Sequence, residues 1–467
     1  MALNQRHNII RATDAYKPTQ DGLDPEGIDY IMEYTTARGG LVPYVQFFGL
    51  QYYLMEYLAG QVVTQAKIDF AERQCMKNYG IPYFRKDHWQ YILDKHEGRL
   101  PLSIRAVPEG MIVPKRNVLM TVVNTDPRCA WLVPYLESLL LKVSRPSTIC
   151  TRGGEGQKVA RRYADMCGEE VPLCIDNDFG YRGLGTEEEA KICGMAHLIN
   201  SPGGDTFPAF DAAEEYYGGE NGGALMLTVR ATEHHTMQTW GKDRELEAYR
   251  EIIRRTPSNA ILSLVTDTWD PMYAQKVLLG TELKSEILAR EGRTVFRPDS
   301  GFPPKIAVES LYQIAECFGY TTNAKGYKVN NPKVGLLMGD QMSFEMQAKV
   351  LEAVVAEEKF AISNIVFGMG GKRYAVERDT LGFTTKECAF CKDGVWYDTF
   401  KDPKTNAWEK SLGGRLKLCR ENGELVTRTY EQPGTDVMEE VFRDGEILKT
   451  YTFTDVKANG KLSEIPG

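Results

Sequence analysis

The middle of the chain alternates between short apolar runs and helical patterns, and this alternation limits the possible folds more than any other feature. Residues 261–265, 294–296, 334–337 and 364–367 are apolar runs, each ending in a polar or glycine-rich loop. Between them, Ala307, Leu311, Ile314 and Phe318 recur at the spacing of one helix face, as do Phe344, Ala348, Leu351 and Val355. Strand, loop and helix repeated in this order predict an α/β fold of parallel strands joined by right-handed crossovers. In such folds the loops at the carboxyl ends of the strands carry the chemistry.

Those loops share a character. Thr266-Asp267-Thr268 follows the first run and Arg297-Pro298-Asp299-Ser300-Gly301 the second. Gly339-Asp340 follows the third, and Gly368-Met369-Gly370-Gly371 the fourth. Carboxylates accept hydrogen bonds from sugar hydroxyls or hold Mg²⁺ against a diphosphate. Open glycine backbone presents N–H groups to phosphate oxygens, and arginine grips phosphate with two parallel bonds. Any one of these loops is an ordinary strand-ending turn. Four in succession point to a site that handles phosphate.

Two other segments carry candidate side chains. Glu233-His234-His235 follows the apolar stretch 224–229, in a chain with only six histidines. It reads either as a phosphate-accepting or nucleophilic imidazole oriented by a carboxylate, or as a surface or capping pair, and spacing alone favours the second. Asp176-Asn177-Asp178-Phe179-Gly180-Tyr181-Arg182-Gly183 reads as a loop before a helix at 187–199. With the turn Asn200-Ser201-Pro202-Gly203-Gly204-Asp205 it is either a polar-capped helix or a pocket in which Phe179 stacks on a flat ring and Asp205 accepts a hydrogen bond.

The flanks differ from the middle. Residues 70–78 and Lys86–Lys95 look helical, while 102–107 and 111–123 alternate like strands around Pro108-Glu109-Gly110. Beyond Phe383 the chain is strand-rich and punctuated by glycines. The net charge of −8 argues against a generic nucleic-acid binder. A local Arg/Lys pocket for a small anion remains compatible with it. Residues 1–10 lack the apolar core of a secretory signal, and the apolar stretches 47–58 and 132–143 are too short or too interrupted to cross a membrane. Ten scattered cysteines fit a reducing cytoplasm, and Cys388 and Cys391 lack the second ligand pair a zinc site needs.

Across nearly its whole length the chain resembles the nicotinamide phosphoribosyltransferase family in its bacterial or phage-type form. The resemblance rests on Ala12-Thr13-Asp14-Ala15-Tyr16-Lys17, Phe48-Gly49-Leu50-Gln51-Tyr52, Ala106-Val107-Pro108-Glu109-Gly110 and Asn124-Thr125-Asp126-Pro127. It continues through Asp178 to Gly183, Glu233-His234, Trp240-Gly241-Lys242-Asp243, Arg297 to Gly301, Gly339-Asp340, Phe400-Lys401-Asp402-Pro403 and Gly414-Arg415-Leu416. It implies an irregular α/β barrel of the type II phosphoribosyltransferase kind over residues 151–383. A second, β-rich domain would form from residues 1–150 and 384–467, in a homodimer whose active sites are shared.

The resemblance also assigns roles. His234 matches the histidine that ATP phosphorylates, with Glu233 and Asp267 orienting it. Phe179 and the partner's Tyr16 match the two faces of a nicotinamide sandwich, and Asp205 the acceptor for the carboxamide N–H. Arg182 and Arg297 match groups near the base and ribose phosphate, Asp299 the ribose-hydroxyl acceptor, and Gly339, Asp340, Gly370 and Gly371 the phosphate loops. Arg38, Arg378, Thr384 and Lys386 resemble a phosphate grip from the partner, and Asp14 joins the substrate-binding set. Nicotinamide would displace diphosphate from phosphoribosyl pyrophosphate, with Mg²⁺ as cofactor and ATP as co-substrate.

The chain departs from the family pattern at His235, where a small hydroxyl residue is usual, and at Gln341, which replaces a glycine. Arg230 replaces a proline, and the loop from Gly371 to Arg378 is one residue short, shifting the register of Arg378. Nicotinate phosphoribosyltransferase is the nearest rival reading, and Asp205 argues against it, because a carboxylate repels nicotinate's own. A non-catalytic nucleotide-binding relative is the other, and Glu233, His234, Asp267, Arg297 and Asp299 together argue against lost chemistry.

Overall fold

The computed structural model describes residues 7–20, 22–40, 42–218 and 224–460. The chain divides into two compact units: residues 1–151, 215–220 and 376–467 form the first, and residues 152–214 and 221–375 the second.

The first unit is built on a seven-stranded antiparallel sheet drawn from both ends of the chain. Its order is Val395–Asp398, Phe383–Lys392, Ile28–Ala37, Met120–Asn124, Leu102–Ala106, Glu439–Arg443 and Glu446–Ile447. The central strands are buried on both faces, which is why Ile28–Ala37 carries Tyr34, Thr35 and Thr36 among its buried residues. The stretch 111–123 is two strands rather than one. Ile112–Pro114 pairs with Tyr44–Gln46, whereas Met120–Asn124 joins the large sheet. Pro114 cannot continue a ladder and Arg116 turns into the left-handed region at φ 69°, so the chain changes sheets there. Helices Gln65–Tyr79 and Lys86–Lys95 lie where the periodicity predicts them. Glu109 is buried, accepting from the Gly49 and Gln51 N–H groups and the Tyr217 hydroxyl.

The second unit is a parallel sheet ordered Gly203–Gly204, Asp176–Asp178, Ile365–Met369, Val334–Met338, Thr294–Arg297, Leu262–Val265 and Arg230–Ala231. Leu227, just before the last strand, bridges in parallel to Gly203 on the opposite edge. The bonds Gly204 N to Leu227 O and Leu227 N to Pro202 O thereby bring the two edges together as an irregular barrel. The apolar faces foreseen for the crossover helices are packed as that spacing requires. Ala307, Leu311, Ile314 and Phe318 on helix Pro303–Phe318 and Leu351 and Val355 near the next helix are buried against Phe296, Leu336 and Phe367. Phe344 and Ala348 are only partly buried.

Asp176–Asp178 is a strand, not the loop its sequence suggests, paired with Ile365–Met369 on one side and Gly203–Gly204 on the other. Its polar side chains hid it from an apolar-run reading. All ten cysteines are free thiols. Among the described residues no helix is long and apolar enough to cross a membrane.

Candidate active site

In the second unit the sheet order sets the strand-end loops side by side. Thr294–Arg297 lies between Leu262–Val265 and Val334–Met338, so Arg297 and Asp299 are flanked by Asp267 on one side and Gly339-Asp340 on the other. A β-carbon on Gly339 would stand 3.0 Å from Asp299 Oδ1, so these two loops touch. Burial raises the Asp299 carboxyl, Arg297 opposes the shift, and Asp267 and Asp340 add to it. Arg297 donates from Nη2 to the carbonyl of Thr232, 2.8 Å away, which ties it to the strand leading into the histidines.

His234 opens the short helix His234–Trp240 and places Nε2 3.0 Å from Asp267 Oδ1. The Asp267 side chain is 4% exposed and the His234 side chain 41%, so a fixed carboxylate presents an accessible imidazole. Glu233 does not reach His234. It accepts from Arg182 Nη2 at 3.1 Å and lies 3.5 Å from His235 Nδ1, both on exposed side chains.

The other end of the row forms a platform. The Phe179 N–H donates to Met369 O at 2.9 Å, and the ring lies where a side chain on Gly368 would be, 2.1 Å from its β-carbon position. Only glycine fits at 368. The turn Tyr181–Gly183 abuts Gly371, since a β-carbon on Gly183 would come within 3.0 Å of Gly371 Cα. Phe179 and the Gly370-Gly371 backbone are therefore neighbours. Asp205 joins them through its N–H, which donates to Asp178 O at 2.9 Å, and its carboxylate accepts from the Thr228 hydroxyl. Although Asp205 is exposed, desolvation by its surroundings raises its carboxyl, against the Thr228 bond and Arg297, with Asp178 adding to the rise.

Sequence reasoning missed Asp178. It is buried, accepting from the Gly180 N–H at 2.8 Å and the Thr206 hydroxyl at 2.7 Å, and it organises both Phe179 and Asp205. The Asp176-Asn177-Asp178 run before an aromatic was the available signal. Thr228 was missed as well, and nothing in its neighbourhood marks it.

The remaining candidates lie in the first unit. Lys386 pairs across the sheet with Tyr34 and Thr384 with Thr36, and Arg38 follows at the end of the same strand. Arg38 donates to Glu409 O at 3.0 Å, while Arg378 is exposed and holds Asp379 at 2.9 Å. Asp14 accepts from the Ser138 hydroxyl at 2.6 Å, and Tyr16 is exposed. Glu137, which the sequence did not single out, binds the buried Lys17 at 2.7 Å; its charge adds to the rise that the Asp379 bond gives Arg378, and opposes the shift at Lys386. Burial, the larger influence on Lys386, lowers it.

Among the described residues, one trio of metal-ligating side chains has its ligand atoms within 4.8 Å of one another: His96, Asp126 and Cys129, in the first unit. Asp126 there already bonds His96, the Tyr91 hydroxyl and the Arg128 N–H, and burial pushes the Cys129 thiol up to about 12. It is a closed hydrogen-bonded network. Asp299 and Asp340 are half-buried carboxylates on neighbouring strand-end loops, and Mg²⁺ takes one or two protein carboxylates and completes its shell with water and substrate phosphates.

Comparison with known proteins places these features in context. Residues 175–446 match the nicotinate phosphoribosyltransferase (NAPRTase) family, and residues 8–104 match the nicotinamide phosphoribosyltransferase N-terminal domain. The chain is 35% identical to a nicotinamide phosphoribosyltransferase of Xanthomonas campestris pv. campestris, covering 98% of this chain and 99% of that protein. It is 31% identical to one from Acinetobacter baylyi, with 97% of each covered. Among solved structures, the nicotinate-nucleotide pyrophosphorylase of Pyrococcus furiosus superposes with a TM-score of 0.63 at 14% identity, covering 98% and 96% of the two chains. Human nicotinic acid phosphoribosyltransferase gives 0.54 at 15% identity, covering 97% and 94%.

Proposed function

Because the chain belongs to the nicotinate phosphoribosyltransferase family, we propose that it transfers the 5-phosphoribosyl group of phosphoribosyl pyrophosphate to nicotinamide in NAD salvage. The products are nicotinamide mononucleotide and diphosphate. One observation carries this reading: the Phe179 ring lies against Gly368, and the Phe179 backbone carbonyl lies 3.8 Å from the β-carbon position of Gly370. A flat-ring platform adjoins a backbone suited to phosphate.

In this mechanism Phe179 and the Asp205 carboxylate hold the pyridine ring so that its nitrogen faces C1 of the ribose. Asp299 accepts from ribose hydroxyls, and Arg297 with the Gly339 and Gly370-Gly371 backbone binds phosphate oxygens. The pyridine nitrogen forms the new bond to C1 as the C1–O bond to diphosphate breaks, through a transition state with oxocarbenium character. Asp340 and Asp299 are the groups suited to hold Mg²⁺, which when bound would neutralise charge on the leaving diphosphate. His234, fixed by Asp267, accepts the γ-phosphoryl group of ATP as the bond to ADP breaks, and water later cleaves the P–N bond to release phosphate, coupling ATP hydrolysis to transfer. Tyr16, Asp14, Arg38, Arg378, Thr384 and Lys386 complete the site from a second copy of the chain in a homodimer.

The rival substrate is nicotinate. Asp205 favours a carboxamide, which donates N–H, over a second carboxylate. The deciding experiment is a product assay with nicotinamide or nicotinate, phosphoribosyl pyrophosphate and Mg²⁺, with and without ATP. Nicotinamide mononucleotide should form, faster with ATP. Equal rates with nicotinate would overturn the substrate assignment, and no ATP effect would overturn the coupling.

A further inference from the structure

Beneath the active-site loops of the second unit lies a buried polar cluster that takes no part in the chemistry above. Arg373 is 1% exposed and lies two residues past Gly371. Its Nη1 donates to Met369 Sδ at 3.3 Å and its guanidinium sits 4.8 Å from the centre of the Phe344 ring, yet Nε and Nη2 have no hydrogen-bond partner among the described residues. Asp176, fully buried, accepts from Gln347 Nε2 on Oδ1 at 2.7 Å, and its Oδ2 has no partner among the described residues. Burial pushes the Asp176 carboxyl up to about 6, with the Arg373 charge opposing. Helix Ser144–Cys167 makes room with two glycines. A β-carbon on Gly153 would lie 3.2 Å from Arg373 Nη2, and one on Gly156 would meet the Phe344 ring at 2.5 Å and Asp176 Oδ2 at 3.5 Å.

Such a cluster is a poor device for stability. Buried opposite charges with unpaired atoms are destabilised by desolvation, and well-packed apolar replacements are often neutral or stabilising. The position of each member supplies a different reason. Asp176 begins the strand that delivers Asp178 and Phe179. Arg373 sits on the turn Gly371–Tyr374 that continues the glycine loop. Phe344 and Gln347 belong to helix Phe344–Leu351, which follows Gly339-Asp340. Three loops with separate roles are joined through one set of contacts.

We propose that Asp176, Gln347 and Arg373 form a positioning cluster that fixes the base-binding loop at Phe179 relative to the two phosphate loops. The inference rests on the phosphoribosyl-transfer reading. In the reaction the cluster touches no substrate and acts through Phe179, Gly339 and Gly370-Gly371, aligning the pyridine nitrogen with C1.

The test is the double variant Asp176→Leu/Arg373→Met, which removes both charges and keeps similar volume. Its melting temperature should match or exceed that of the wild type. Its kcat/KM for nicotinamide should fall by on the order of 10²-fold, the consequence of reacting atoms held about 1 Å out of place. Arg373→Lys, which keeps the charge, should recover part of that loss. A stable double variant with wild-type kcat/KM would overturn the proposal. If the double variant does not fold, Gln347→Met decides: it cuts only the tie to Asp176, and unchanged kinetics would overturn the proposal equally. Calorimetric titration of phosphoribosyl pyrophosphate is a parallel arm, in which the wild type should bind more tightly than the variants. A wild-type protein that binds it but forms no product would refute the transferase reading, leaving the cluster to stand or fall on that difference in affinity.

Discussion

His234 Nε2 is held 3.0 Å from Asp267 Oδ1, while Glu233, its neighbour in sequence, is engaged by Arg182 and His235 instead. Asp267 therefore fixes the imidazole, and in the proposed mechanism Nδ1 is the nitrogen that takes the phosphoryl group. Asp267→Asn should slow acid-labile phosphorylation by ATP on the order of 10²-fold or more, by analogy with proton-transfer groups. Glu233→Gln should slow it far less, because exposed ion pairs contribute about 0–1 kcal/mol. Rapid-quench measurement of histidine-bound phosphate separates the two; equal losses would contradict this division of roles.

His235 is exposed, and its ring nitrogen Nδ1 lies 3.5 Å from Glu233. His235→Thr should leave one phosphate per chain after ATP treatment, and His234→Ala should remove it. Intact-mass analysis reads both. An adduct that survives in His234→Ala would move the phosphate acceptor to His235 or elsewhere.

Gln341 sits at φ 52° immediately after the Asp340 phosphate loop, and its side-chain amide donates to Asp340 Oδ2 at 3.1 Å. The left-handed backbone explains why a glycine suits this position. Gln341→Gly should raise stability by up to about 1 kcal/mol by relieving that strain, less the greater freedom of glycine in the unfolded chain. Gln341→Val should destabilise by at least as much. Urea unfolding gives both values.

These positions show where the sequence was informative. The barrel strands of the middle region were legible because each is a continuous apolar run buried between helices, and their loops followed. Asp176–Asp178 was not, since a strand of Asp, Asn and Asp carries no apolar signal and is held by Gln347, Thr206 and backbone partners far along the chain. Adjacency in sequence and the family resemblance both paired Glu233 with His234, but a helix start sends consecutive side chains in different directions. The Glu137 and Lys17 pairing spans 120 residues, beyond any local pattern.

Glu33 gives the first unit a pH dependence. Burial, with Glu137 and Glu387 adding to it and Lys17 and Lys386 opposing, raises its carboxyl from 4.5 to about 8. Between those values the folded chain binds more protons at this group than the unfolded chain. The stabilising effect is complete below 4.5 and is lost as pH rises through 8. Glu33→Gln should flatten that decline, worth on the order of a few kcal/mol, in denaturant melts across the range. Asp176 titrates in the same sense in a lower window, from 3.8 to about 6, so the Glu33→Gln difference, not the decline as a whole, reads the Glu33 share.

In the proposed mechanism Asp205 sets substrate choice through its protonation state. One oxygen accepts from the Thr228 hydroxyl, leaving the other to accept the carboxamide N–H. As the folded pKa is raised, mainly by desolvation, the carboxylate protonates at a higher pH than an ordinary aspartate. It then loses the charge that strengthens its bond to the nicotinamide N–H and that repels nicotinate. Selectivity for nicotinamide over nicotinate, expected to be as large as about 10⁴ where a buried polar group is mismatched, should therefore narrow as pH falls. Asp205→Asn should narrow it at every pH and remove that dependence, because an amide cannot titrate and can turn its NH₂ toward a carboxylate. The measurement is the ratio of kcat/KM for the two substrates against pH in wild type and variant. A ratio that stays constant with pH in the wild type would assign the discrimination to another residue.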